Sequence, residues 1–448
     1  MKVVKFGGSS LANAQQIEKV VSIVQSDAAR RVVVVSAPGK RFSDDIKVTD
    51  LLIQIAETIF AQGDAQALVD QVIARYADIQ QALSLPESLI EQIQTDLQER
   101  LKTDATNRAQ FLDTMKAAGE DNNARLVAAA ICAAGTPAIY TDPGEAGMLL
   151  SDEFGNAEVL PESYERLTQL KQSDSVVVFP GFFGRTKAGD IATFPRGGSD
   201  ITGAILAAAL RAEVYENFTD VDSVYALDPR LVPEAPAIET MTYREMRELA
   251  YAGFGVFHDE AIVPAVQAEI PICIKNTNRP DAPGTMVVPH HQVDHSAVTG
   301  ISSARGFSAI YIDKYMMNRE VGFGRRLLQV LEEEKISYEH TPSGIDNMSI
   351  ILQAAELAGK ESEVLDRLKE ALLPDDITIE HGLALIMVVG EGMHFSVGMA
   401  AKATHALAEA DVNIEMINQG ASEISMMFAV KEEDREKAVS ALGGAFFS

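Results

Sequence analysis

A shift of 76 positions lays residues 322–353 of this 448-residue chain onto residues 398–429 without a gap. Gly322 meets Gly398, Leu331 meets Leu407, Glu333 meets Glu409, Glu339 meets Glu415, Gly344 meets Gly420 and Ser349 meets Ser425. Apolar character matches as well, with Ile336 on Val412 and Met348 on Ile424. Each copy reads as a helix, a strand (336–339 and 412–416), a glycine-containing turn and a further strand. A small βαββ-type unit leaves sheet edges open, and pairing two copies edge to edge closes them. The duplication is either a structural module or a pair that binds a ligand or joins chains.

Residues 1–290 have a different texture. Short β-branched runs at 3–6 and 32–35 have the character of buried parallel strands. Between them Ile17, Val20, Val21 and Val24 share one helical face. Further strands are predicted at 137–140, 176–179, 213–218 and 271–275, with helices at 126–134 and 201–211. This alternation predicts an α/β unit with a mostly parallel sheet covered on both faces. Residues 61–116 interrupt it with polar amphipathic helices (Leu89, Ile90, Ile93, Leu97, Leu101), a helical elaboration of the same domain. Pro280-Asp281-Ala282-Pro283-Gly284 marks a turn-rich exit, and 290–296 reads as a linker.

Composition narrows the function classes. Lys+Arg total 38 against 65 Asp+Glu, a formal charge of −27, which argues against a nucleic-acid or anionic-membrane binder. A polyphosphate ligand stays possible, because local cations and helix ends can cradle one. The two cysteines, Cys132 and Cys273, form no metal or redox spacing and fit a reduced, cytoplasmic compartment. The N-terminus lacks the apolar core of a signal peptide, and no apolar run reaches the roughly 18 residues of a membrane helix. His290-His291 has no partner at metal spacing, so no protein-held metal is expected.

Two glycine-rich turns stand at strand-to-helix junctions: Lys5-Phe6-Gly7-Gly8-Ser9-Ser10 and Arg196-Gly197-Gly198-Ser199-Asp200. Glycine lets backbone amides approach a ligand, and each turn brings a cation, as phosphoryl transfer requires. Neither is a Walker loop, and no G-x-G-x-x-G follows the first strand. Asp200 reads equally as an N-cap and as a carboxylate able to orient Lys5. Thr219-Asp220-Val221-Asp222-Ser223, with Tyr225 and Arg230 behind it, suits either an acidic turn or a nucleotide contact. Glu120, after Gly119, reads as an ordinary acid at a helix start.

Together these motifs resemble the monofunctional aspartate kinases of the amino acid kinase family, over nearly the whole chain. Lys5–Ser10 is similar to KFGG[TS]S, residues 196–200 to RGGSD, residues 219–230 to TDVDGVYTTDPR, and residues 274–285 to NT…P-x-APGT. The repeats resemble tandem ACT domains, with Asn418 to Ser425 matching the second. The resemblance implies an amino-acid-kinase fold over 1–290 and α+β ferredoxin-like ACT domains over 300–375 and 376–448. It implies ATP- and Mg²⁺-dependent phosphorylation of the L-aspartate side chain, with no homoserine dehydrogenase fused to this length of chain. Lys5 would stabilise the transferring phosphoryl group and Asp200 would orient it. Arg196, Ser199, Glu120 and Thr49 would hold aspartate. Lys5, Gly7, Gly8, Ser9, Thr219, Asp220, Tyr225 and Arg230 would contact ATP. A regulatory amino acid, lysine or alternatively threonine, would act at the ACT pair, where Glu339, Asp346, Met348 and Ile414 are candidates, and that pairing implies a homodimer or a dimer of dimers. Two departures stand out: residues 40–48 are longer than the family pattern, and Gly255-Val256-Phe257-His258-Asp259 replaces a common Lys-Val before His-Pro.

Overall fold

The computed structural model describes residues 1–251, 253, 259–290, 298–420 and 424–447. The departure at Gly255 and most of the predicted linker therefore lie outside the described residues. The chain divides into two compact units: Met1–Val224 with Ala237–Met246 and Val256–His291, and Tyr225–Pro236 with Arg247–Gly255 and Gln292–Ser448. Among the described residues no helix is long and apolar enough to cross a membrane.

The first unit contains β1 (Lys2–Phe6), β2 (Arg30–Val35), β3 (Ala138–Tyr140), β4 (Val176–Pro180), β5 (Phe183–Arg185), β6 (Ile191–Thr193), β7 (Tyr215–Thr219), β8 (Thr240–Thr242), β9 (Ile272–Asn276) and β10 (Thr285–Val288). Eight form one sheet in the order β3-β4-β2-β1-β7-β9-β10-β8, and β5 pairs β6 in a separate hairpin. Every pairing in the large sheet is parallel except β9 with β10. Val3, Val4, Phe6 and Val32 to Val35 are fully buried, the pattern expected of strands with helices on both faces. Phe6 stacks on Phe218 of neighbouring β7 with ring centroids 5.0 Å apart. Helix Ala14–Gln25 begins where Asn13 accepts the Gln16 amide at 3.0 Å, and its Ile17, Val20 and Val24 join the core. The long helix Arg108–Ala133 corrects one expectation: Glu120 lies in its middle and is buried rather than sitting exposed at a helix start. Sequence reading started that helix near residue 126 because its buried polar run from Glu120 to Asn123 breaks the apolar stripe.

The second unit is one antiparallel sheet of β11 (Gly300–Asp313), β12 (Asn347–Gln353), β13 (Asp376–Val389), β14 (Met416–Asn418) and β15 (Ser425–Lys431), ordered β12-β11-β13-β15-β14. The 76-residue shift takes β11 onto β13 and helix Phe323–Glu333 onto helix Met399–Glu409. The two copies meet through β11 and β13, which closes one edge of each. Gly306 (φ 86°) and Gly382 (φ 72°) occupy equivalent positions where this pairing shifts register, a conformation glycine adopts without strain. The strands expected at 336–339 and 412–416 do not form as such; β14 starts at Met416, and the first copy has the isolated bridges His340–Ile351 and Ser343–Met348. Lys335 (φ 55°) and Asp411 (φ 51°), again one repeat apart, turn the chain so that Ile336 and Val412 drop into the core without joining a ladder.

Candidate active site

In a parallel sheet the ligand crevice opens beyond the carboxyl ends of the strands, where connections leave in opposite directions. Here β1 lies between β2 and β7, so the loops leaving all three converge. They line a cavity of about 590 Å³ with Gly8 and Ser9 from the first loop, residues 36–43 from the second and Asp220 from the third. Lys47, Thr49 and Glu120 complete it. The Gly39 amide donates to the Gly8 carbonyl at 2.9 Å, and a Cβ on Gly39 would stand 2.6 Å from that carbonyl group. Two loops are thus stitched together by backbone alone.

Lys5, next to last in β1, is almost fully buried, its Nζ 2.7 Å from Asp200 Oδ1. Asp200 lies in the first turn of helix Gly198–Leu210, which Gly197 (φ 84°) starts from a left-handed turn. Asn217 Nδ2 donates to the same carboxylate oxygen at 2.5 Å. A Cβ on Gly7 would lie 3.6 Å from Lys5 Nζ, so the ammonium sits against the glycine turn. Ser10 and Thr277 hydroxyls are 2.7 Å apart and tie that turn to the segment after β9.

Glu120 is 6% exposed and one carboxylate oxygen, Oε2, has no partner. Burial pushes its carboxyl up to about 8, although the Ala37 and Glu120 amides and Lys116 pull the other way. A buried carboxyl with an unmet oxygen, opening on a cavity, is suited to receiving a ligand cation.

The cavity thus gathers Gly8, Ser9, Thr49, Glu120 and Asp220, with Lys5, Gly7 and Asp200 at the glycine turn. Arg196 is exposed and Ser199 is buried against Gly181 in the same helix start. Thr219 ends β7, its hydroxyl 3.2 Å from Asp220 Oδ1. Tyr225 and Arg230 fall in the second unit, where Arg230 pairs with Asp228 at 2.7 Å. Glu339 accepts from the Tyr251 hydroxyl, and burial raises its carboxyl. Asp346 accepts the Met316 amide at 2.7 Å, Met348 lies in β12 and Ile414 precedes β14. Sequence reasoning missed Asn217 and the cations Lys40 and Lys47; the Ala37-Pro38-Gly39 turn directly after β2 was the available signal.

Residues 1–276 match the model of the amino acid kinase family, and residues 386–446 match an ACT domain. The chain is 56% identical over 449 residues to aspartokinase 3 of Bacillus subtilis, covering 100% of this chain and 99% of that one. Its structure resembles the crystal structure of Clostridium acetobutylicum aspartate kinase, an allosteric enzyme, with TM-score 0.89, 36% identity and full coverage of both chains. Escherichia coli aspartokinase III matches at TM-score 0.74 and 28% identity in complex with aspartate and ADP, and at 0.75 and 27% with lysine and aspartate, both with full coverage.

Proposed function

The chain belongs to the amino acid kinase family and within it to the aspartokinases, and on that premise we propose how its residues divide the work. The enzyme transfers the γ-phosphoryl group of ATP to the side-chain carboxylate of L-aspartate, giving 4-phospho-L-aspartate and ADP. A carboxylate oxygen forms the new bond to phosphorus, the bond to the β,γ-bridging oxygen breaks, and its electron pair leaves on ADP. The nucleophile is already an anion at neutral pH, so no general base is needed. Acceleration must come from alignment and from positive charge around the transferring group.

Lys5 supplies that charge beside the Gly7-Gly8 turn, and Asp200, itself held by Asn217, aims it. Glu120 takes the substrate ammonium, with Thr49 on the same cavity wall and Arg196 and Ser199 gripping a substrate carboxylate. Ser9, Thr219 and Asp220 meet the nucleotide from the ends of β1 and β7. Mg²⁺ enters with ATP, as the MgATP substrate. The enzyme works in the cytoplasm, at the first step of lysine, threonine and methionine synthesis. It assembles as a homodimer or a dimer of dimers, and the duplicated unit senses an end product, lysine in the first instance. Glu339, Asp346, Met348 and Ile414 are the effector candidates, by analogy with the lysine complex of the Escherichia coli relative.

The observation that carries the catalytic reading is the Lys5–Asp200 pair beside a cavity lined by Glu120, whose Oε2 has no partner. Trapping the acyl phosphate as a hydroxamate tests it. Product is expected with aspartate and not glutamate, falling when lysine is added. Product with glutamate alone would overturn the substrate, and suppression by threonine alone would replace the effector.

A further inference from the structure

Lys5 cannot supply the cavity's positive charge by itself, because Asp200 already neutralises it at 2.7 Å. Asp220 and Glu120 add carboxyl groups to the same walls. Among the residues that line this cavity the cations are Lys40, Arg41 and Lys47, all from the 39–47 loop. Arg41 is spent on Asp45 at 3.0 Å, with Asp78 at 3.6 Å. Among the described residues Lys40 donates to the Ser43 carbonyl at 3.2 Å, and neither Lys40 nor Lys47 has a carboxylate partner. Two lysines without a carboxylate partner among the described residues therefore line a cavity whose glycine turn, Gly8, bonds directly to the root of their loop at Gly39.

Surface lysines on a free loop would mean little. This loop is fastened from behind by a buried ion pair. Arg75, 4% exposed, places Nη1 2.8 Å from Asp45 Oδ2 and donates through Nη2 to the Gly39 carbonyl. Asp45 also accepts the Arg41 amide at 2.9 Å. Burying such a pair is a poor route to stability, since desolvation offsets most of the Coulombic gain, and its better-attested use is to select one conformation. The conformation selected places Lys40 and Lys47 in the wall of the cavity that Glu120, with its unpartnered oxygen, also lines.

Resting on the kinase reading above, we propose that Lys40 and Lys47 bind the oxyanions of the ATP tail and the transferring phosphoryl group, with Arg75 as the positioning residue that sets their loop. Atom and electron flow are those of the transfer already described. The two lysines add no proton step. They offset charge as it builds on the β,γ-bridging oxygen.

The test uses the full chain. Lys40→Met with Lys47→Met is expected to raise KM for MgATP and lower kcat/KM for it by about 10- to 100-fold, as lost contacts to charged groups do, with aspartate KM little changed. Calorimetry should show weaker ADP binding and unaltered adenosine binding. Arg75→Met should move the same ATP parameters in the same direction, and Arg75→Lys should recover part of the loss. ATP parameters within twofold of the parent in the double variant would overturn the proposal, as would a defect confined to aspartate KM. An Arg75→Met protein that melts earlier but keeps its ATP parameters would make Arg75 structural and remove its positioning role. If the parent chain makes no acyl phosphate, the kinase reading fails separately, and ADP against adenosine binding still decides the lysines.

Discussion

The two units place polar groups in opposite ways. In the first, Lys5, Asp113, Glu120, Asp121, Asn122 and Asn123 are all buried, and Glu120, Asn122 and Asn123 each leave a side-chain oxygen without a partner. In the second, the buried polar residues among those described are Ser302 and Ser308 alone. That unit also exposes the most open large apolar side chains among those described, Val321 at 95% and Val397 at 105%, where the first unit reaches 60% at Phe42. These two valines are one repeat apart, each just before the glycine that starts a helix. A catalytic crevice must keep fixed charges and dipoles away from water so that they act strongly on a reacting group. A module that responds to a ligand or a second chain needs surface still open to cover. The contrast between buried polarity and exposed apolarity separates chemistry from regulation.

Removing Lys5 should break the comparison most visibly. Lys5→Ala is expected to lower kcat at least ~10²-fold, as loss of one transition-state stabiliser does, with an unchanged circular dichroism spectrum. A near-normal rate would take Lys5 out of the transfer step. Glu120→Gln comes next, raising KM for aspartate about tenfold through loss of a charged contact, and leaving KM for ATP in place. In the parent, KM for aspartate should fall as pH rises from 6.5 toward 8.5. The empty site holds Glu120 largely protonated below its value near 8, and it must ionise to meet an ammonium. A flat profile would show that Glu120 does not receive the amine.

The same group carries a stability signature. Its folded value, near 8, lies above the ordinary 4.5, so the folded chain keeps a proton that the unfolded chain releases. Stability from this group is full below about 4.5 and is lost as pH rises toward 8, by at most about 1.4 kcal/mol per pH unit. Urea titrations of parent and Glu120→Gln should diverge over that window; parallel curves would place the carboxyl in a wetter setting. The smallest catalytic effect belongs to the second unit. Val321→Asp with Val397→Asp should change uninhibited kcat less than about twofold, as surface changes do, while shifting the lysine inhibition curve. An unmoved curve would locate the effector response elsewhere in the duplicated sheet.

Much of this was legible in the chain itself. The β-branched runs, the two glycine turns and the 76-residue repeat are local patterns, and backbone preference and side-chain periodicity act locally too. They sufficed for the parallel sheet and for the pairing of two copies through one sheet, and they put Lys5, Gly8 and Asp200 at strand-to-helix turns. The unseen elements failed for local reasons: 336–339 looks like a strand because Ile336 is buried, yet Lys335 turns it off the ladder. Glu120 looks like a surface acid because nothing in its neighbours in sequence announces that Ala37 and Leu52 pack against Gly119 beside it. Asn217 on Asp200, Arg75 behind Gly39 and the place of Lys40 and Lys47 in the cavity wall join residues from separate elements. Periodicity determined which segments become strands and helices. Only the sheet order, which sets β1 between β2 and β7, decided which loops meet and what charge they enclose, because electrostatic partnership depends on distance in space and the sequence records distance only along the chain.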